Sequence, residues 1–146
     1  MQWGQQWGSE WRPIAYLATK APRGKATAQR LREAGFVVGS SWVNWDGEPT
    51  AQLWSTIVSD MRGVDCLVLD VQEGDVLRGC LVEVGLALAG MRPVYVVGDC
   101  ESLRADGASD SSFMMHPLVH RVRDFADAMR HFNEKYPYVW RARLFS

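Results

Sequence analysis

The most informative acidic side chain in the sequence is Glu83, which lies in a segment that is otherwise apolar. Every other residue from Cys80 to Ala89 is hydrophobic or glycine. A carboxylate in such a segment must face solvent, meet a partner or line a site, because burying it alone costs several kcal/mol. An ionised carboxylate held in place can attack the anomeric carbon of a sugar as a nucleophile. The spacing alone leaves open the alternative that Glu83 faces solvent on a partly exposed helix.

The hydrophobic pattern predicts that Glu83 lies near the start of a helix that follows a buried strand. Residues 66–71 are apolar on both faces until Asp70, which is typical of a strand inside a parallel sheet. A helix is predicted from about residue 76 to residue 89, with Gly90 at its end. Asp75 is predicted to cap its first turn rather than to act in catalysis. The start of the helix is expected to favour ionised Glu83 by about 0.3–1 kcal/mol.

Strands and helices alternate along the rest of the chain. Further strands are predicted at residues 14–18, 36–38 and 94–97, and residues 138–145 could add a short edge strand. Helices are predicted at residues 25–34, from Pro49 onward and within residues 116–136. The second of these has a predicted core stripe made of Leu53, Ile57, Val58 and Met61. This alternation predicts a parallel sheet with helices on both faces, and ligands of such folds bind beyond the carboxyl ends of the strands.

Length and composition describe one ordinary domain. The chain has 146 residues, of which 47% are hydrophobic and 23% are charged. Its 16 basic and 17 acidic side chains give a net charge of −1, which does not indicate a partner such as duplex nucleic acid or an anionic membrane. No apolar run reaches the roughly 18 residues that a membrane span needs, and no secretory signal is predicted.

Residues 1–12 contain three tryptophans and two glycines at irregular spacing. We interpret them as a Trp-rich arm ahead of a single domain over residues 13–146. The arm could be disordered or pack on a neighbouring subunit, because exposed aromatic side chains are costly. Cys66, Cys80 and Cys100 form no C-x-x-C pair, which argues against a disulfide framework or a zinc site. The expected location is therefore a reducing cytoplasm.

Several segments, taken in order, resemble the nucleoside 2-deoxyribosyltransferase-like family over residues 13–128. They are Ala15-Tyr16-Leu17-Ala18, Trp42, Val64-Asp65-Cys66-Leu67-Val68-Leu69-Asp70, Gly79-x-x-x-Glu83-x-Gly85-x-Ala87-x-Ala89-Gly90 and Pro93-Val94-Tyr95-Val96-Val97-Gly98. The resemblance implies an α/β fold, namely a flavodoxin-like or Rossmann-like three-layer sandwich with a five-stranded parallel sheet, in homodimers or larger homo-oligomers. It also implies cleavage of the N-glycosidic bond of a nucleoside or nucleoside 5′-monophosphate, with the sugar passing to another base or to water.

The same resemblance assigns catalytic residues. Glu83 would be the nucleophile that forms a glycosyl-enzyme intermediate, and Tyr16 would lie beside it. Asp70 is expected to point into the same crevice, where it would orient a ribose hydroxyl or help to protonate the departing base. An aspartate that merely begins a turn is an equal alternative for Asp70. Chemistry of this kind implies no cofactor and no metal.

The loop after the first strand offers groups that suit a 5′-phosphate. Thr19, Arg23 and Gly24 supply a hydroxyl, a forked cation and an approachable backbone, and Lys20 and Lys25 add positive charge. The alternative is a solvated basic loop.

Other candidate substrate-binding residues follow the second strand and open the helix. Trp42 or Trp45 could stack on a base, which is worth about 1–3 kcal/mol, or could be a core or interface residue. Gly79 opens the motif that contains Glu83. His116 could touch the ligand or be an ordinary loop residue, and with His120 it lacks the third ligand that a metal site needs.

Two positions depart from the family pattern. Many members carry an aspartate where this chain has Ile57, so Asp60 would have to serve from one turn away. Some transferases also carry an acidic residue near Leu77, and this chain has none there. Three hypotheses therefore stand: an enzyme that cleaves the glycosidic bond, a nucleotide-binding sensor without turnover, and a structural subunit that assembles through the Trp-rich arm.

Overall fold

The computed structural model describes residues 12–98 and 112–137. The Trp-rich arm up to residue 11, Cys100 and the edge strand predicted over residues 138–145 lie outside the described residues.

The described residues form one parallel sheet of five strands, in the order β2-β1-β3-β4-β5. Every neighbouring pair of strands is parallel. The strands are β1 (Ile14–Ala18), β2 (Val37–Val38), β3 (Cys66–Val71), β4 (Val94–Gly98) and β5 (Val119–Val122). The order reverses between β1 and β3, which is the switch point where ligands bind in doubly wound sheets. This architecture confirms the predicted flavodoxin-like α/β fold.

In the described part of the chain, four α-helices cover the two faces of the sheet. They are α1 (Gly24–Glu33), α2 (Ala51–Gly63), α3 (Gly79–Ala89) and α4 (Phe125–Lys135). The buried side chains of α2 and α3 share one core cluster, and those of α1 and α4 share the other. The three layers are therefore a helix pair, the sheet and a second helix pair. None of the helices in the described ranges is long and apolar enough to cross a membrane.

The pleat of the strands decides which side chains meet which helices. Successive residues of a strand point to opposite faces of the sheet. Tyr16 and Leu69 thus lie in the core under α2 and α3. Leu17 and Val68 lie in the core under α1 and α4. By the same alternation, the face that holds Val68 also receives Asp70, two residues further along β3.

Three predictions about local structure were wrong. Helix α3 begins at Gly79 rather than near residue 76, and its N-cap position is Arg78, which makes no side-chain cap. Asp75 does not cap this helix, because its carboxylate accepts from the Gln72 amide at 2.9 Å and from Arg23. Val58, placed in the core stripe of α2, is 37% exposed.

The hydrophobic pattern did not locate the last strand. A helix was predicted within residues 116–136, and β5 precedes α4 within them. The strand holds polar and charged residues, His120 and Arg121, and none of its residues is fully buried. An edge strand of this kind lacks the apolar run that revealed β3.

Candidate functional site

Glu83 lies in the second turn of α3 and lines a pocket of about 350 Å³ beyond the carboxyl end of β1. Glu83 is only 8% exposed. The alternative that Glu83 faces solvent is therefore excluded. A carboxylate this deeply placed has lost most of its hydration, so its environment decides its charge.

Tyr16, in the middle of β1, packs behind Glu83 as expected. The Tyr16 hydroxyl and Glu83 Oε2 are both buried, and neither has a hydrogen-bond partner within the described part of the chain. Two such unsatisfied polar atoms in a folded protein call for an explanation, and an incomplete site is a common one.

Burial controls the ionisation of both groups. It raises the pKa of Glu83 from its usual 4.5 to about 7, while the Tyr16 hydroxyl partly offsets this by favouring the carboxylate. Burial, followed by the negative charge of Glu83, raises the pKa of Tyr16 well above its usual value. Tyr16 therefore stays a neutral donor, and Glu83 changes charge near neutral pH. The expected stabilisation of ionised Glu83 by the helix N-terminus is smaller than the cost of burial.

The pocket has one polar wall and one apolar wall. The polar wall is made of Thr19, Lys20, Arg78 and Gly79, and the apolar wall of Trp42, Pro49, Leu53, Trp54 and Ile57. Lys20 Nζ donates to the Val76 carbonyl at 2.9 Å, which ties the loop after β1 to the loop before α3. Glu83 lies between the two walls. Such a pocket suits a ligand with a polar or anionic end and a flat apolar end.

Trp42 is held in place at the apolar wall. Its Nε1 donates to the Leu17 carbonyl at 2.8 Å. The ring lies against Gly24, where an added Cβ would come within 2.9 Å of Cζ3. Gly24 is thus a packing contact for Trp42 and does not line the pocket as the phosphate-binding residue that was expected.

Arg23 and Asp70 belong to a network outside the Glu83 pocket. Arg23 donates to both carboxylate oxygens of Asp75, at 3.0 and 2.6 Å, and to Thr19 Oγ1 at 3.1 Å. Its Nε lies 3.6 Å from Asp70 Oδ2. The guanidinium lowers the pKa of Asp75. Because its charge is already matched by carboxylates, Arg23 is not the open phosphate fork that was expected.

Asp70 lies on the opposite face of the sheet from Glu83. It accepts from Thr19 Oγ1 at 3.0 Å and lines a separate cavity under α1 and α4. The expectation that Asp70 shares the crevice of Glu83 is therefore corrected. Thr19 connects the two places, because it lines the Glu83 pocket and donates to Asp70.

Three other predicted site residues have structural contacts and do not line the Glu83 pocket. Asp60 accepts from the amide and the hydroxyl of Ser41, at 2.7 and 3.1 Å, and so fixes the turn that carries Trp42. Trp45 packs at the edge of the core, and its Nε1 donates to the Glu48 carbonyl at 3.3 Å. His116 Nδ1 accepts from the Leu118 amide at 3.0 Å within its own turn.

Several lining residues were missed from the sequence. Arg78, Trp54 and Cys80 all line the pocket. Burial raises the pKa of the Cys80 thiol to about 11, so this group is uncharged near neutral pH. The spacing of Cys80 from Glu83, one helical turn, was the signal that could have found it. In the described ranges, no cluster of three or more His, Cys, Asp or Glu side chains could hold a metal ion.

No known family model matches the sequence, and no curated protein is significantly similar to it. Solved structures are similar in fold. The CMP N-glycosidase of Clostridium botulinum has 14% identity and a TM-score of 0.53, and the match covers 91% of this chain and 99% of that chain. The 2-deoxyribosyltransferase of Bacillus psychrosaccharolyticus has 16% identity and a TM-score of 0.56, over 86% and 95% of the two chains.

A third similar structure is the 2-deoxyribosyltransferase of Leishmania mexicana. It has 18% identity and a TM-score of 0.59, and the match covers 85% of this chain and 99% of that chain. At these identities the likeness shows the fold. The likeness confirms the predicted architecture.

Proposed function

We propose that this protein cleaves the N-glycosidic bond of a nucleoside or nucleoside 5′-monophosphate, with Glu83 as the nucleophile. The observation that carries the proposal is the position of Glu83, a mostly buried carboxylate that lines a pocket between a polar and an apolar wall. The structures similar in fold include a CMP N-glycosidase and two 2-deoxyribosyltransferases, which gives the proposal its reaction class.

In the proposed reaction, ionised Glu83 attacks C1′ of the sugar. The bond from C1′ to the base nitrogen breaks, its electron pair leaves with the base, and the base takes a proton from water in the open pocket. A bond forms between a Glu83 oxygen and C1′, giving a glycosyl-enzyme intermediate. Water or a second base then attacks C1′ and releases Glu83 as a carboxylate. No metal or cofactor takes part in these steps.

The two walls of the pocket suit the two ends of a nucleotide. A base would lie against Trp42 and its apolar neighbours, where stacking contributes about 1–3 kcal/mol. A 5′-phosphate would lie near Lys20 and Arg78, because their positive charges attract its negative charge. Thr19 and Gly79 complete that wall with a hydroxyl and an open backbone. Lys20 and Arg78 thus take the role of phosphate-binding groups that was expected of Arg23 and Gly24.

A second candidate function is binding without turnover. It is favoured by Ile57, which lines the pocket at the position where many members of the resembling family carry an aspartate. An apolar side chain cannot hold a sugar hydroxyl. A protein of this kind would bind a nucleotide and release it unchanged.

The test is base release from a panel of nucleosides and 5′-monophosphates, followed by chromatography. We expect free base from at least one compound, and a loss of at least about a thousandfold in Glu83→Ala. Glu73→Ala, in the exposed turn before α3, is the matched control and should keep wild-type activity. Equal base release by wild type and Glu83→Ala would refute the assignment. Saturable binding without release would favour the second candidate function.

Assembly and location are further proposals. We expect a homodimer or larger homo-oligomer, because α2 and α3 carry the outward-facing apolar side chains Trp54, 37% exposed, and Val82, 54% exposed. Light scattering on the purified chain would measure its mass in solution. The free thiols of Cys66 and Cys80 fit the proposed reducing cytoplasm. One domain over residues 13–146 remains our proposal for the domain boundaries.

A further inference from the structure

A second cavity lies on the opposite face of the sheet from Glu83. It has a volume of about 580 Å³ and opens over the ends of β3 and β4, in the gap between α1 and α4. Cavities of about 300–1,000 Å³ are the usual size for small-molecule sites. The proposed glycosidic reaction does not use this cavity. Its apolar floor includes Val97 and the ring of Phe125.

Arg30 spans this cavity between a carboxylate and an aromatic ring. Its Nη2 lies 3.8 Å from Asp70 Oδ1, and its Cζ lies 5.3 Å from the centroid of the Phe125 ring. The Arg30 side chain is 57% exposed, whereas that of Asp70 is only 5% exposed. A long contact to a mostly exposed cation is a weak interaction for a buried carboxylate.

The other oxygen of Asp70 is well occupied. Oδ2 accepts from Thr19 at 3.0 Å and lies 3.6 Å from Arg23 Nε. Oδ1 is therefore the acceptor that faces the cavity, close to the aromatic floor. A planar group that carries N–H donors fits between these two features, and the guanidinium of Arg30 now takes that place.

We propose that this cavity binds an amino-substituted nitrogen heterocycle of the nucleobase class. Its ring stacks on Phe125, and its amino group donates to Asp70 Oδ1 while Arg30 moves aside. The charges of the lining disfavour an anion such as phosphate, because three carboxylates, those of Glu33, Asp70 and Asp124, outnumber the guanidiniums of Arg30 and Arg123. A neutral donor-bearing ring meets no such repulsion.

The test is calorimetric titration of the full chain with adenine. Under the proposed function a free base could also enter the Glu83 pocket, so the variants below decide which cavity holds the adenine. We expect saturable binding. Purine, the same ring without the amino group, should bind at least about tenfold more weakly, because a hydrogen bond to a charged group is lost. Absence of adenine binding at millimolar concentration, or equal binding of purine, would overturn the proposal.

Two variants locate the binding site. Ala126→Trp places a large ring from the exposed first turn of α4 into the cavity and should weaken adenine binding at least about tenfold. Leu81→Trp, at an exposed position of α3 on the other side of the sheet, should leave it unchanged. Arg30→Ala removes the competing guanidinium and should tighten binding. Unchanged affinity in a folded Ala126→Trp protein, or weaker binding in Arg30→Ala, would contradict the proposal. The Arg30 test holds even if the tryptophan variant fails to fold.

Discussion

The Tyr16 hydroxyl faces the carboxylate of Glu83 from the strand below it, and both are buried without a completed hydrogen bond. Each group changes the ionisation of the other. The tyrosine favours the charged form of Glu83, and the negative charge of Glu83 keeps the tyrosine protonated. Glu83 therefore has a pKa of about 7. Near neutral pH a large fraction of it is ionised, although burial has removed much of its hydration.

The first prediction concerns the pH dependence of base release. Only ionised Glu83 can attack C1′, so kcat/KM should rise with pH through a midpoint near the Glu83 pKa of about 7. The measurement is the initial rate of base release between about pH 3.5 and pH 9. A rising limb centred near 4.5, the ordinary value for a glutamate, would show that burial does not control this group in solution.

The second prediction concerns Tyr16→Phe. Because the Tyr16 hydroxyl lowers the pKa of Glu83, its removal should move the rising limb of the same profile to higher pH. The phenylalanine keeps the ring that fills the core, so the fold should be retained. Thr56→Val, whose hydroxyl bonds only within α2, is a control that should leave the profile in place. If the profile of Tyr16→Phe does not move, the Tyr16 hydroxyl does not affect the pKa of Glu83.

The third prediction concerns stability. The pKa of Glu83 is higher in the folded protein than its usual 4.5, so the folded state holds this proton more tightly than the unfolded chain does. The stability that protonation contributes is fully present below about pH 4.5 and is lost as the pH rises through about 7. Glu83→Gln stays neutral. Its free energy of unfolding should exceed that of the wild type by about 3 kcal/mol more at pH 8 than at pH 4.

Urea unfolding of both proteins at the two pH values measures this difference. A constant difference between wild type and Glu83→Gln across the range would contradict the burial of the charge.

The fourth prediction distinguishes the roles of two arginines near the loop after β1, Arg78 and Arg23. Arg78→Ala should raise KM for a 5′-monophosphate more than KM for the matching nucleoside, because Arg78 lines the pocket. Arg23→Ala should instead lower the free energy of unfolding by about 1–3 kcal/mol, because it leaves Asp75 without its bidentate partner. The opposite result, a phosphate-specific effect of Arg23→Ala alone, would restore Arg23 as the phosphate ligand.

The fifth prediction concerns Gly24→Ala. The new methyl group would lie 2.9 Å from the Trp42 ring, which cannot move freely because its Nε1 is bonded to the Leu17 carbonyl. Overpacking of this kind costs about 1–3 kcal/mol. Thermal unfolding measures the cost, and Gly79→Ala is a matched control with no atom within 4 Å of the added Cβ. Equal stability of the two variants would show that the Trp42 ring is not fixed.

The sequence was a good guide where one local pattern decided the structure. The apolar run before Asp70 predicted β3, and the isolated acid in an apolar helix marked Glu83 as a candidate site residue, although the spacing alone left open that it faces solvent. The expectation for Asp70 was wrong for a physical reason. A strand buried on both faces shows no alternation, so its sequence does not say which face a given residue occupies.

Contacts distant in sequence were beyond prediction from local patterns. Asp75 has the sequence context of a helix cap, but its carboxylate accepts from Arg23, 52 positions earlier in the chain. The same contact removes Arg23 from the pocket. Lys20 and Arg78 line the pocket instead, and that placement follows from how two loops meet at the end of the sheet.

The central claim is that Glu83 forms a covalent bond to the sugar. The most direct measurement is acid quenching of the wild type during turnover, followed by peptide mass spectrometry. The proposed mechanism predicts a mass gain of one sugar, or one sugar phosphate, on the peptide that contains Glu83, and no such gain in Glu83→Gln. Base release accompanied by a sugar on a different residue would contradict Glu83 as the nucleophile.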